Sequence, residues 1–276
     1  MQYRTRSFVP MVVTFAVVGC GGGGGGGGDA GPQGGAQALA VANSAEGIWF
    51  GETSSGLRAD VVVLEDGQAW GIYSDLPSIH SSIQGVVRGR TGSLDGTLTQ
   101  SFFLDNSQQA LTFSGTVREE AAIDATAADG TRLILSYDVN YDKAASLADV
   151  AGTYSLGDQN PVTVDGAGQF SWVASAGCTL TGGLTPRPSG KNVFDAALTY
   201  SGAECLHGDG MNLSGVAWLD TAETPPRLVT VALRPDTRIG FIGIAFKQVA
   251  DGGGAAPAAR PPPTAAPGPA PVPPAA

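Results

Sequence analysis

The chain has 276 residues, of which 42% are hydrophobic and only 14% charged, with 41 glycines and 18 prolines. Charged residues fall well below the ~25% usual for soluble domains, and glycine stands at about twice its usual share. A net charge of -10, with Lys143, Lys191 and Lys247 as the only lysines, excludes a basic nucleic-acid groove and a lysine-rich helical bundle, and so few cysteines exclude a thiolate-rich metal domain.

The chain opens with Arg4 and Arg6, an apolar stretch from Phe8 to Val18, and Val17-Val18-Gly19-Cys20. A positive start, a short apolar core and a small residue before the cut predict a secretory signal over residues 1–19. The stretch is too short for a membrane span, which needs about 20 apolar residues. Cysteine directly after a small residue resembles the lipobox of bacterial lipoproteins. The resemblance implies cleavage before Cys20, a diacylglycerol on its thiol and a further acyl chain, such as palmitate, on the new amine. Several chains on one residue anchor a protein stably, whereas one is marginal. Residue 21 is Gly and not Asp, which by the same resemblance implies the outer membrane. Eight glycines at 21–28 open a segment, residues 20–44, that offers no apolar surface to bury and is expected to serve as a tether. At the other end, residues 250–276 are Gly, Ala and Pro with few exceptions and are expected to form a disordered, partly polyproline tail.

Between these ends no segment sustains a helical apolar period. Short alternating runs recur, separated by Gly, Asp, Asn and Pro, which is an all-β signal. Leu111, Phe113, Gly115 and Val117 alternate with Thr112, Ser114, Thr116 and Arg118. Asp66-Gly67 and Asp129-Gly130 predict tight hairpins, because Gly tolerates the positive φ such turns require. Sixteen strands are expected. Eight lie near 47–53, 59–65, 68–74, 81–89, 95–104, 110–118, 121–127 and 131–139. Eight more lie near 151–157, 161–165, 168–175, 177–184, 193–200, 211–219, 227–234 and 239–247.

The two sets repeat one another. Gly47-Ile48-Trp49 matches Gly152-Thr153-Tyr154, and Gly67-Gln68-Ala69 matches Gly168-Gln169-Phe170. Ile83-Gln84-Gly85 matches Leu180-Thr181-Gly182, with Arg90 in step with Arg187. Leu111–Gly115 matches Met211–Gly215, and Thr131-Arg132-Leu133 matches Thr237-Arg238-Ile239. The order is kept and the offset drifts little, so two homologous units are expected, 45–142 and 149–249. Short connections favour an up-and-down meander, and eight meandering strands remove their edges by closing into a small barrel. Gly85, Gly115, Gly182 and Gly215 fall mid-strand, where glycine marks a bend or a close backbone approach. The predicted fold is all-β: two tandem eight-stranded up-and-down barrels. One sixteen-stranded membrane barrel is disfavoured by short runs, sparse aromatics and the proline-rich end.

Gly47-Ile48-Trp49-Phe50-Gly51 on the first strand resembles the start of lipocalins. With the lipobox and the glycine tether, the body resembles the barrel half of transferrin-binding-protein-B-like surface lipoproteins. That resemblance implies architecture; the residues that contact iron carriers in that family have no match here, so it implies no partner.

Cys178 and Cys205 remain once Cys20 is lipidated. Two cysteines in an exported chain predict a disulfide, since that compartment is oxidising. It would draw the loop 203–210, with His207 and Asp209, back beside the strand at 177–184. Closing such a loop is worth about 3.5 kcal/mol on chain-entropy grounds. His80 and His207 are read as solvated loop residues, and no Gly-x-Ser-x-Gly elbow accompanies them. Glu119-Glu120, the one adjacent acid pair, falls at a hairpin. No phosphate loop, zinc motif or calcium loop occurs, so no cofactor is expected. The expectation is a non-enzymatic, lipid-anchored envelope lipoprotein acting in binding, display or structure, with no nucleic-acid partner. A carrier of a small apolar ligand is the alternative, and would require an apolar internal cavity of about 300 Å³ or more. An envelope hydrolase ranks third and would require a buried acid–base pair in a cleft.

Overall fold

The computed structural model describes residues 43–75, 78–103, 105, 107–157, 159–205, 207–234 and 240–248. Cys20, the signal, residues 21–42 of the expected tether, the tail and the Thr237–Ile239 match lie outside them; Asn43 and Ser44, expected to end the tether, instead belong to the folded body, where Asn43 bonds Val87 and Gly89. Two closed antiparallel eight-stranded barrels form, each in simple sequence order. The first comprises β1 (Gly47–Thr53), β2 (Arg58–Val63), β3 (Gln68–Ser74), β4 (Ile79–Arg90), β5 (Ser93–Phe102), β6 (Gln108–Arg118), β7 (Ala122–Ala127) and β8 (Arg132–Tyr137). The second comprises β9 (Gly152–Ser155), β10 (Val162–Val164), β11 (Gln169–Ser175), β12 (Cys178–Pro186), β13 (Phe194–Ser201), β14 (Asn212–Asp220), β15 (Arg227–Leu233) and β16 (Gly240–Lys247). Every expected strand is present, and the sixteen strands make two barrels and not one. Two single turns join them: a 3-10 turn at Val139–Asp142 and α1 at Leu147–Val150, the latter capped by the Ser146 side chain accepting from the Asp149 N–H.

The seams differ in strength. β1 and β8 pair over five residues, from Trp49↔Tyr137 to Thr53↔Leu133. β9 and β16 share only Phe246↔Ser155 and Lys247↔Tyr154, because β9 is four residues long.

The internal repeat is visible in matched geometry. Trp49 and Tyr154 each stand third in their first strand, fully buried. Each uses its polar tip in the same way: Trp49 Nε1 donates to the Ala45 carbonyl at 2.8 Å, and the Tyr154 hydroxyl donates to the Val150 carbonyl at 2.7 Å. A buried Trp or Tyr usually finds a partner for its polar tip, and both do so here. Gly67 and Gly168 take φ of 82° and 77° in their hairpins, and their carbonyls accept from the N–H groups of Val87 and Leu184. A Cβ on Gly85 would run into the Thr97 carbonyl, and one on Gly182 into that of Ala197. These mid-strand glycines are the close backbone approaches their position implied.

The barrels are fused along their sides. β15 is buried at every position. Its inward residues fill the second barrel, while Val229 and Val231 join Trp218, Val216 and Ile244 in an apolar layer shared with Ile48, Val62, Leu64, Trp70 and Ile72 of the first barrel. At one edge of this layer runs a buried ion chain. Arg227 bonds Asp60 at 2.6 Å and Asp220 at 2.9 Å; Arg58 bonds Asp60 at 3.1 Å and Glu223 at 3.0 Å. Tyr141 of the connecting turn is buried in the same layer and donates to Glu46 at 2.7 Å.

Candidate functional site

A cavity of about 260 Å³ occupies the first barrel. Its walls are the inward faces of all eight strands, including Val61, Ile83, Leu98, Leu111, Phe113 and Leu135. At one end the segment Asn43–Glu46 forms the floor. Asn43 holds it there: its side chain donates to the Val87 carbonyl at 3.0 Å and accepts from the Gly89 N–H at 2.6 Å. Ala45 is fully buried above it, against Trp49. The mouth is at the opposite end, where the β1–β2, β3–β4, β5–β6 and β7–β8 hairpins lie, and there the lining turns polar with Thr53, Ser55, Gln100, Gln109, Asp129 and Thr131.

The second barrel has the same topology and a void of only about 30 Å³. The difference traces to β3 and β11. Ala69 and Tyr73 of β3 line the first cavity, whereas the offset of the Gly67–Gly168 match sets Phe170 opposite Ala69, and Phe170 and Trp172 both line the second void. The Trp172 ring packs edge-on against Phe241 at 6.0 Å, and its Nε1 donates to the Asn160 carbonyl. The Phe170 ring thus takes up space that the Ala69 methyl leaves open in the first barrel, and the Trp172 ring adds to it. The pair Ala69/Phe170 stands in the repeat alignment itself; what it signals becomes apparent only once both are seen to point inward.

Tyr73 lies below the mouth, on the cavity wall and 8% exposed. Burial and the nearby Asp129 carboxylate push its hydroxyl pKa up to about 12, so it is a neutral phenol at physiological pH. The hydroxyl has no hydrogen-bond partner among the described residues. Gln100 is held in place by donating from Nε2 to Ser81 Oγ at 2.8 Å.

The expected disulfide between Cys178 and Cys205 is present, with Cα atoms 4.7 Å apart, inside the range such bonds require. It packs on the second core and pins the loop after β13. The His207 ring lies 5.3 Å from that of Tyr200, beside an open depression of about 340 Å³ at the end of the second barrel, lined by Trp172, Cys178, Tyr200 and Phe241. His207 is half-buried, not solvated, and burial lowers its pKa. His80 also departs from expectation: it is the second residue of β4, not a loop residue, with Nε2 3.0 Å from Asp75. The two histidines belong to different barrels. Glu119 and Glu120 sit exposed at the β6–β7 hairpin. Among the described residues no cluster of three or more His, Cys, Asp or Glu is placed to hold a metal ion. No known protein family matches the chain, and neither a curated protein nor a solved structure is detectably similar to it.

Proposed function

We propose that the protein is a lipid-anchored lipoprotein of the bacterial outer envelope whose first barrel binds and carries a small apolar ligand. The second barrel is its filled structural partner. The carrying observation is the contrast between two barrels of one topology: the first holds about 260 Å³ of apolar space between all eight strands, while the second holds about 30 Å³ between its strands and has a more open, partly polar depression of about 340 Å³ at its end. A core that merely supports display loops gains nothing from a void, since unfilled space costs stability in proportion to its volume. The cavity lies just under the usual ~300 Å³ lower bound for ligand pockets, so the ligand is small. Binding, not catalysis, is the role assigned. The lipid on Cys20 and the glycine segment after it would hold the barrels at a membrane with reach into the adjoining space, in keeping with the lipoprotein resemblance.

A display role is the second reading, supported by the disulfide-pinned loop carrying His207 at the mouth end of the filled barrel. Native mass spectrometry of the protein purified from its host membranes separates the two. The carrier reading expects an added small-molecule mass that leaves on denaturation, together with an acylated N-terminal cysteine in the peptide map. A full-length preparation with no such mass, recovered instead with a protein partner whose binding is lost on His207→Ala, would favour display.

A further inference from the structure

We propose that the first barrel is selective for hydrophobic amines, that is, for an apolar body bearing a protonated amine at its exposed end. This rests on the carrier reading and names the ligand class of that same cavity.

Three observations carry it. The lining of the cavity contains no Lys, Arg or His, and its one charged member is Asp129 at the rim. The described residues of the four hairpins at the mouth include Asp75, Asp105 and Asp129 and no basic residue. The flanking cations are engaged: Arg58 with Asp60 and Glu223, Arg132 with Asp124 at 2.6 Å, and His80 with the mouth residue Asp75 itself at 3.0 Å. Neither Asp105 nor Asp129 has an ion-pair partner among the described residues. Lastly, Tyr73 is more than nine-tenths buried, faces the cavity, and carries a hydroxyl with no partner.

The chemistry follows from this placement. An apolar body entering between Leu98, Leu111 and Phe113 is desolvated, while its head stops level with Tyr73 and the rim. The Tyr73 hydroxyl is open to the cavity and has no partner among the described residues, so its oxygen can accept from an ammonium N–H. The same ammonium lies nearest the Asp129 carboxylate, with Asp105 and the His80-paired Asp75 at the same end of the barrel. A carboxylate head meets like charge and, at that depth, no cation to pair with. Opposite-sign charges at a low-dielectric mouth discriminate by attraction for one ligand and repulsion for the other, so the two effects add.

The test uses the full chain carrying Cys20→Ser, so that no detergent competes for ligand. Decylamine, decanol and decanoate, which share one alkyl body, are each equilibrated with it by dialysis, and the bound fraction is measured. Decylamine is expected to bind at least about tenfold more tightly than decanoate, with decanol between them, and the preference to shrink as salt rises. Replacing Asp75, Asp105 and Asp129 together by Asn should remove most of the amine preference and leave decanol unchanged. Tyr73→Phe should weaken decylamine more than decanoate. Ala69→Phe, which places in the first barrel the residue the second already has, should abolish binding of all three while keeping the surface charge; Leu98→Trp serves if that variant does not fold. Decanoate binding as well as decylamine, or an amine preference that survives the triple Asn variant, would overturn the selectivity and leave the carrier standing. If no alkyl ligand binds, or if binding is indifferent to both filled-cavity variants, the cavity is not a ligand site and both proposals fall.

Discussion

A handful of positions decide how closely the strands approach. A Cβ on Gly115 would overlap the Asp124 carbonyl and sit 2.6 Å from the Ala125 Cα, and Gly215 meets the Val231 carbonyl and the Ala232 Cα in the same way. In both, the obstacle is backbone, which cannot swing aside. Gly115→Ala and Gly215→Ala should each cost about 1–3 kcal/mol, the range for overpacking, read as a lower denaturation midpoint. Gly166→Ala, in an open turn with nothing within 4 Å, should stay within about 0.5 kcal/mol of wild type. Both critical glycines were legible in the sequence, since a glycine inside an alternating run requires a reason. Tyr73 was not: an aromatic residue at a strand end reads as ordinary core, and only closure of the barrel shows that its hydroxyl meets empty space.

Among the elements, β15 is the most informative. Its run Leu228-Val229-Thr230-Val231-Ala232-Leu233 does not alternate, which is the pattern of a strand covered on both faces. β2, with Val61-Val62-Val63, shares it. That pattern is what a covered outer face requires, and nothing in it identifies the other barrel as the cover. Arg227, at the start of β15, holds Asp60 and Asp220 together out of water. Arg227→Met should cost about 3–5 kcal/mol, because it leaves two buried carboxylates without that counter-charge. A pH series adds a second check. Burial alone would raise the Asp60 pKa, but Arg227 and Arg58 more than reverse this and hold it below its ordinary value. A depressed folded pKa means stability present above about pH 4 and lost as pH falls through the depressed value. Thermal melts of wild type should therefore weaken below about pH 4, and the same acid loss should be smaller in Arg227→Met.

At the scale of the whole molecule, the layer containing Trp70, Ile72, Trp218 and Val229 makes the two barrels interdependent. Heating should give one unfolding transition for both, and Val229→Asp, which puts a charge into that layer, should lower it strongly or split it. Reducing the Cys178–Cys205 bond should lower the same transition, by no more than the ~3.5 kcal/mol that loop closure allows. Two transitions in wild type, with only one sensitive to reductant, would mean the shared layer does not couple them. The sequence by itself determined the strands, their order and the duplication, because alternation, turn residues and repeat offsets are local properties of the chain. The disulfide was legible too, once the lipobox resemblance set Cys20 aside from the three cysteines. Tertiary structure alone decided that one barrel is hollow and the other filled, that their outer faces join, and that three hairpin aspartates gather around one mouth. Those outcomes depend on side-chain volume summed around a closed ring and on charges brought together from distant turns, and no local window of sequence contains either quantity.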